Sequence, residues 1–301
     1  MAKNLAVILG PTASGKTQLA AKLANDLHGE IISADSRQVY KNMDIGTGKD
    51  LNQYIINGRR IPYHLIDIVA PESEFNLFEF QNRFYKTFSE LIEKKILPVL
   101  VGGTGLYLES VLTGYNMPHA PMDQELRKEL SQKSKDELQK MLLALKPQLH
   151  NKTDLEDSER LIRAIEIERA RSAKDQTQKP DINAVVFGIR WERSTLRQRI
   201  RVRLKERLEQ GMIEEVMKLH TAGLTWKKLE SFGLEYRFIS QYLQKKITFD
   251  EMKNRLNTAI HQFAKRQETW FRRMEKKGVV INWLQSNDYS LLKESVMKFL
   301  Q

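Results

Sequence analysis

The sequence predicts an α/β protein: a parallel sheet with helices on both faces, interrupted by a helical insertion and finished by a helical C-terminal part. Three observations predict it. Short apolar runs alternate with helical patterns over the first 113 residues, as strand–helix–strand units do. One run, AVILGPTASGKTQLAAKLA at residues 6–24, passes through a glycine loop into a helical pattern. From Pro121 to about Lys174 strand patterns stop and the chain turns polar and helical, before AVVFGI at 184–189 resumes the sheet.

Each element has its own reason. Leu5–Leu9, Glu30–Ala34, Tyr63–Ile68, Pro98–Val101 and Ala184–Ile189 are short and apolar enough for buried strands, and Val279–Trp283 is a shorter candidate. Thr17–Leu27 is the helix after the first strand. Asn76–Lys94 is a second, with Leu77, Phe80, Phe84, Phe88 and Leu91 on one stripe. The character changes at Tyr115-Asn116-Met117-Pro118, so the expected parts are a core at 1–114, an insertion at 115–183, and a return to the core with basic helices at 184–301.

Composition narrows the class. The chain has 301 residues, 41% of them hydrophobic, enough to bury a core. Its net charge of +11 and pI of 9.6 fit contact with a polyanion or a solvated lysine-rich surface. The absence of cysteine excludes disulfides, thiolate metal sites and cysteine nucleophiles. No apolar run approaches the ~20 residues of a membrane span. The N-terminal apolar stretch ends in a glycine loop and not a cleavage site, so the expectation is a cytoplasmic protein without a signal peptide.

The glycine loop is the sharpest local signal. Gly10, Pro11, Thr12, Ala13, Ser14, Gly15, Lys16 and Thr17 fit G-x-x-x-x-G-K-[ST]. Such a loop wraps backbone N–H groups around phosphates at a helix N-terminus, with the lysine on the terminal phosphate and the hydroxyl on Mg²⁺. The core is therefore expected to be P-loop NTPase-like. Asp35 ends the second strand, where a carboxylate can ligate Mg²⁺, cap a following helix or take a proton, the last two read as equal. Asp67, in HLID, is a candidate carboxylate near the metal. His64 has no second histidine at ligand spacing, so no zinc site is expected. VGGTGLY at 101–107 lets the backbone approach a ligand, and Thr104 is its one side chain placed to hydrogen-bond.

Two basic helical stretches follow. Leu196, Ile200, Leu204 and Leu208 recur every four residues in STLRQRIRVRLKERLEQG, with Arg199, Arg203 and Arg207 on an adjacent stripe. Between Glu251 and Lys277, eight Lys/Arg face three Glu, a net +5. There Met252, Leu256, Ile260, Phe263, Trp270 and Met274 are the expected core face. Lys265, Arg272 and Lys276 form one basic row, and Arg266, Arg273 and Lys277 its neighbour. Such rows suit phosphate backbones, or are solvated faces with i,i+4 partners. Glu156–Arg160 and Glu159–Arg163 in the insertion are such pairs.

Taken in order, GPTASGKT, ADSRQVYKNMDIGTGK, PYHLIDI, VGGTGLY, ERLIRAIEI and FAKRQETWFRR resemble the bacterial tRNA dimethylallyltransferase (isopentenyltransferase) family over nearly the whole chain, from Gly10 to about Arg273. The resemblance implies transfer of a dimethylallyl group from dimethylallyl diphosphate to the 6-amino group of the adenosine 3′ of the anticodon, in tRNAs reading codons that begin with U. The loop would then hold a leaving group. By the same resemblance Asp35 is the base, and Thr104 lies beside the reacting amine. Arg203, with Arg199 second, contacts the diphosphate alongside Lys16. Ser36, Arg37 and Gln38 touch the target nucleotide, and the segment Glu159, Arg160, Leu161, Ile162, Arg163 touches tRNA. Mg²⁺ is the expected cofactor, with Thr17 and Asp67 as candidate ligands. The basic faces at Lys265 and Arg266 are expected on tRNA, with the insertion on the anticodon stem. A monomer suffices for this chemistry, and no obligate protein partner is expected.

The sequence departs from the family in two places. Glu235-Tyr236 stands where the family often has Gly-Tyr, and Arg171-Ser172-Ala173-Lys174 replaces a usual Ser/Thr-Gly-Lys. A C-terminal zinc finger of the kind eukaryotic relatives carry is not expected. The alternatives on sequence are a prenyltransferase for free adenine nucleotides, a phosphoryl-transfer kinase, and a non-catalytic RNA-binding protein.

Overall fold

β1 (Leu5–Leu9) is fully buried along its length, because it lies between two strands in the sheet and between helical layers across it. The structure is a computed structural model and describes residues 3–115, 120, 123–145, 157–170, 179–285 and 288–300. In chain order β1 is followed by α1 (Lys16–Asp26), β2 (Glu30–Ala34), β3 (Ile55–Ile56), β4 (Arg59–Arg60), β5 (Tyr63–His64), α2 (Leu77–Glu93), β6 (Pro98–Gly102) and α3 (Gly105–Leu112). After α4 (Gln124–Ser131), α5 (Lys135–Leu145) and α6 (Ser158–Arg169) come β7 (Ala184–Arg190), α7 (Arg193–Glu209), α8 (Met212–Thr221), α9 (Trp226–Ser231), α10 (Leu234–Leu243), α11 (Phe249–Lys276), β8 (Ile281–Gln285) and α12 (Tyr289–Leu300).

The main sheet has the order β5-β2-β6-β1-β7-β8, and every pairing is parallel. Its register places the site. Gly102 lies beside Leu9 on one side and Ala34 on the other, so β2, β6 and β1 end level. The turns after three adjacent strands therefore open at one edge, where α/β sheets bind ligands. β3 and β4 form a separate hairpin. Its Asn57-Gly58 turn has φ of 50° and 77°, the geometry that Asn-Gly favours.

Several sequence expectations are corrected. The third strand is only Tyr63–His64, because Leu65 and Asp67 take left-handed φ values of 62° and 55° and leave the ladder. The last strand starts two residues later than predicted. The chain divides into one unit of residues 1–114 and 180–301 and a second of 115–179, so the return to the core precedes the expected 184. Asn4 explains the shift: its N–H and side chain pair with Asn183 across the start of β1. On α11, Phe263 and Trp270 leave the core face, and Ala264, Gln267 and Phe271 take their place. A 3.6-residue helix drifts against a strict four-residue count over seven turns.

The second unit packs α4, α5 and α6 around Leu130, Leu138, Leu142, Leu161 and Ile165. Its buried Glu166 takes a two-pronged ion pair from Arg127 at 2.7 and 2.9 Å and a further bond from Arg163 at 3.0 Å. Arg163 thus pairs three residues ahead, not four back to Glu159 as expected. Leu161 is wholly buried in this small core, so its side chain does not reach a surface. Glu156, Asn116–Pro118 and Arg171–Lys174 lie outside the described residues.

Candidate active site

The phosphate loop is built by turning its carbonyls outward. Pro11 O accepts from Lys16 Nζ at 3.2 Å, Ala13 O from Arg199 Nε at 2.8 Å, and Ser14 O from Trp191 Nε1 at 2.9 Å. Ala13 and Gly15 adopt φ of 61° and 87°. Left-handed residues interleaved in a turn aim successive N–H groups to one side, and that concavity is an anion nest. Gly10 and Pro11 form its root. A Cβ on Gly10 would meet Ser14 Oγ and the backbone of Ile189. Thr12 through Thr17 line a cavity of about 1140 Å³.

Gln267 fixes this loop from α11. Its Oε1 accepts from Thr12 N at 2.8 Å, and its Nε2 donates to Gly103 O at 2.9 Å. One buried amide thereby ties the turn after β1 to the turn after β6. A side chain at Gly103 would collide with it. Sequence reading passed Gln267 over; its signal was a polar residue on the buried face of a helix, which is rare without a partner.

Asp35 stands at the end of β2 and lines the same cavity. No helix follows for it to cap: its Oδ1 accepts from Arg37 N at 2.9 Å in a local turn, which leaves Oδ2 for other use. Thr104 Oγ1 accepts from Ser36 N at 3.1 Å, so its own proton is available to a ligand. Ser36, Arg37 and Gln38 line the cavity too. Gln38 is braced by Ser33 Oγ at 3.2 Å and Gly48 O at 3.0 Å.

The arginine stripe of α7 lands on this site. Arg203 Nη1 donates to Thr12 Oγ1 at 3.2 Å, while Nη2 bonds Asp50 Oδ2 at 2.6 Å. Arg199 also stacks on Trp191, 4.5 Å from the ring centre. Arg207, one turn beyond Arg203, is buried, and burial with the repulsion of Arg203 lowers its pKa to about 10. Burial and the neighbouring Arg203 guanidinium likewise lower Lys16, to about 8. Burial raises the Asp50 carboxyl, yet Arg203 and Arg207 outweigh it, and Asp50 sits below the usual carboxylate range. Asp50 was absent from the sequence expectations.

Asp67 belongs elsewhere. It does not line the cavity with Thr17; it pairs with the fully buried Lys49, which also holds Asp44 at 2.6 Å and Tyr40 O at 2.7 Å. Glu215 reinforces the same loop by accepting from the N–H groups of Asp44, Ile45 and Gly46 and from Tyr236 Oη. Among the described residues, no cluster of three or more His, Cys, Asp or Glu forms a metal cage.

α11 also contributes to the wall. Phe263, Arg266 and Trp270 line the cavity, and Lys265, Arg272 and Lys276 are exposed. The other expected row is partly engaged: Lys277 pairs with the buried Glu109, Arg273 lies 3.9 Å from it, and Trp270 Nε1 donates to it at 2.6 Å.

A family model described as IPP transferase matches residues 38–274. The chain is 54% identical to tRNA dimethylallyltransferase 1 of Syntrophus aciditrophicus over 299 residues, 98% of each chain. The chain belongs to the IPP transferase family. Among solved structures of this kind, the full-length tRNA isopentenylpyrophosphate transferase of Bacillus halodurans is 31% identical, with a TM-score of 0.71 over 99% of this chain and 97% of its own. A eukaryotic dimethylallyltransferase acting on tRNA shares the fold, with a TM-score of 0.77 at 22% identity over 98% of this chain and 77% of its own. The IPP transferase match includes Gln267, Asp50 and Arg203 as well as Thr104, so the bracing residues lie inside the family region and not in added segments.

Proposed function

We propose that this chain is a tRNA dimethylallyltransferase. It moves a dimethylallyl group from dimethylallyl diphosphate to the 6-amino group of the adenosine just 3′ of the anticodon, in tRNAs reading codons that begin with U. One observation carries the reading: the phosphate loop, Asp35 and Thr104 line a single cavity of about 1140 Å³, room for a diphosphate ester and a base together.

In this reaction the bond from the allylic carbon to the diphosphate oxygen breaks, a carbon–nitrogen bond forms, and the amine loses a proton. Lys16, the inward N–H groups of the loop and Arg203 stabilise the charge that develops on diphosphate, by dipoles already in place. Asp35 Oδ2 takes the proton. Thr104 Oγ1, anchored by Ser36 N–H, donates to the base and orients it. Thr17, which lines the cavity beside Lys16, would hold Mg²⁺ by its hydroxyl, and among the described residues no cluster of three or more His, Cys, Asp or Glu competes for the ion. Bound Mg²⁺ supplies charge neutralisation for the leaving group.

The target adenosine must leave its stack to reach a buried site, and Phe263 and Trp270 in the cavity lining offer aromatic faces to it. Exposed Lys265, Arg266 and Arg272 on α11, with Arg160 on α6, suit the RNA backbone. No helix among the described residues is long and apolar enough to cross a membrane.

One incubation tests the proposal. The protein is mixed with dimethylallyl diphosphate, Mg²⁺ and unmodified tRNA, and the digested nucleosides are weighed. The expected result is a dimethylallyl mass gain on one adenosine. Gain on free AMP but not on tRNA would make it a nucleotide prenyltransferase; no gain on either would refute prenyl transfer.

A further inference from the structure

Arg207 makes an unusual use of a buried charge. Only 7% of it is exposed, and its Nε and Nη2 have no hydrogen-bond partner. A guanidinium carries five N–H donors, and leaving them bare in the interior is costly. Its countercharges stand off: Asp50 Oδ2 at 3.8 Å and Glu235 Oε1 at 3.9 Å. Those distances balance its charge without occupying its donors.

The geometry gives those donors a direction. A Cβ on Gly48 would run into Nη2 of both Arg207 and Arg203, so the two forks converge over one glycine backbone. Asp50 Oδ2 occupies the point of convergence, 2.6 Å from Arg203 and 3.8 Å from Arg207. Lys16 of the phosphate loop senses both arginines. Arg207, Glu235 and Asp50 all line the cavity with it. A single carboxylate oxygen under-fills two forks and a lysine. An anion with more oxygens and more charge fills them.

We propose that Arg207 is a second guanidinium for the donor's diphosphate, held ready at the cavity by Asp50 and Glu235 until that anion binds. Glu235 is the residue that stands where the family often has glycine. It is the second countercharge of Arg207, and with Asp50 it balances the guanidinium without filling its donors. The proposal rests on the reading that the cavity holds a diphosphate.

The test separates the two. Magnesium and inorganic diphosphate are titrated into the full chain by calorimetry. Glu235→Gln serves as the reference, and Arg207→Met is added to it so that no buried carboxylate is left unpaired. Arg207→Met in that background should weaken diphosphate binding at least tenfold, with tRNA affinity and melting temperature close to those of the reference. Diphosphate affinity within twofold of the reference overturns the role of Arg207, as does an equal loss of tRNA affinity, which would mark general damage. Failure of the unsubstituted protein to bind diphosphate overturns the site reading itself.

Discussion

Lys16 provides the most exacting test of the donor site, because its charge is both needed and disfavoured. It faces the cavity only partly exposed, with Arg203 and Arg207 near it, and its pKa falls from 10.5 to about 8. A bound diphosphate reverses that balance and restores the proton. Donor affinity should therefore fall as pH rises through 8, since above it the empty protein must first capture a proton. With a free-state pKa of about 8 and a bound-state pKa at or above the ordinary value, the dissociation constant should rise about eightfold between pH 7.5 and 9. Dimethylallyl diphosphate without tRNA is the ligand to use, because it binds without turnover. Calorimetry at pH 8 in two buffers of different ionisation enthalpy should show uptake of about half a proton. Lys16→Arg should flatten the profile, since guanidinium does not titrate in this range and Arg207 holds its own proton to about 10. A flat profile in the unsubstituted protein, or an equal slope in Lys16→Arg, would refute the reasoning. The empty protein should also gain stability from pH 8 toward 10.5, because the unfolded chain keeps the Lys16 proton longer than the folded one.

Other substitutions check the remaining assignments. Asp35→Ala should keep tRNA binding and lower turnover by about 10²–10⁴-fold, read in single-turnover kinetics; lost binding would make Asp35 a binding residue instead. Gln267→Leu leaves Thr12 N–H and Gly103 C=O bare, at about 1–3 kcal/mol each, seen as a lower urea midpoint together with a raised KM for the donor. Asp67→Asn should cost about 2 kcal/mol of stability through Lys49 and leave the Mg²⁺ dependence of donor binding unchanged. Lys265→Ala with Arg272→Ala should weaken tRNA binding and reduce the log–log salt slope by roughly one to two; an unchanged slope would make that face merely solvated.

What the sequence disclosed depended on how local each signal was. The loop at Gly10–Thr17 and the strand ends at Asp35 and Gly102 were legible because each is contiguous and its turn chemistry is written in adjacent residues. The α7 stripe was legible as a stripe, since Arg199, Arg203 and Arg207 recur at the helical period. That its first two members would bond Ala13 and Thr12 was not, for those contacts join residues 186 and 191 apart. Asp67 misled for the opposite reason. Its setting in an apolar run imitates a strand end, yet a left-handed turn at Leu65 diverts the chain and a buried lysine claims the carboxylate. Gln267 and Glu109 escaped because a polar residue in a buried helical stripe names its need for a partner without saying which.

The arrangement also bears on why a loop of this type would serve a leaving group, as proposed. A phosphoryl-transfer site must place a nucleophile in line with the terminal phosphorus, close to the loop. Here the three strand ends divide the work. The turn after β1 offers N–H groups and Lys16 to a phosphate. The turns after β2 and β6 offer Asp35 and Thr104, linked to each other through Ser36 N–H. Gln267 holds the first turn to the third through Thr12 N and Gly103 O, so the loop and the Thr104 turn share one brace on α11. The same helix carries Phe263 and Trp270, which also line the cavity. On the proposed reading, the span from the loop to Asp35 is left for the allylic carbon to cross.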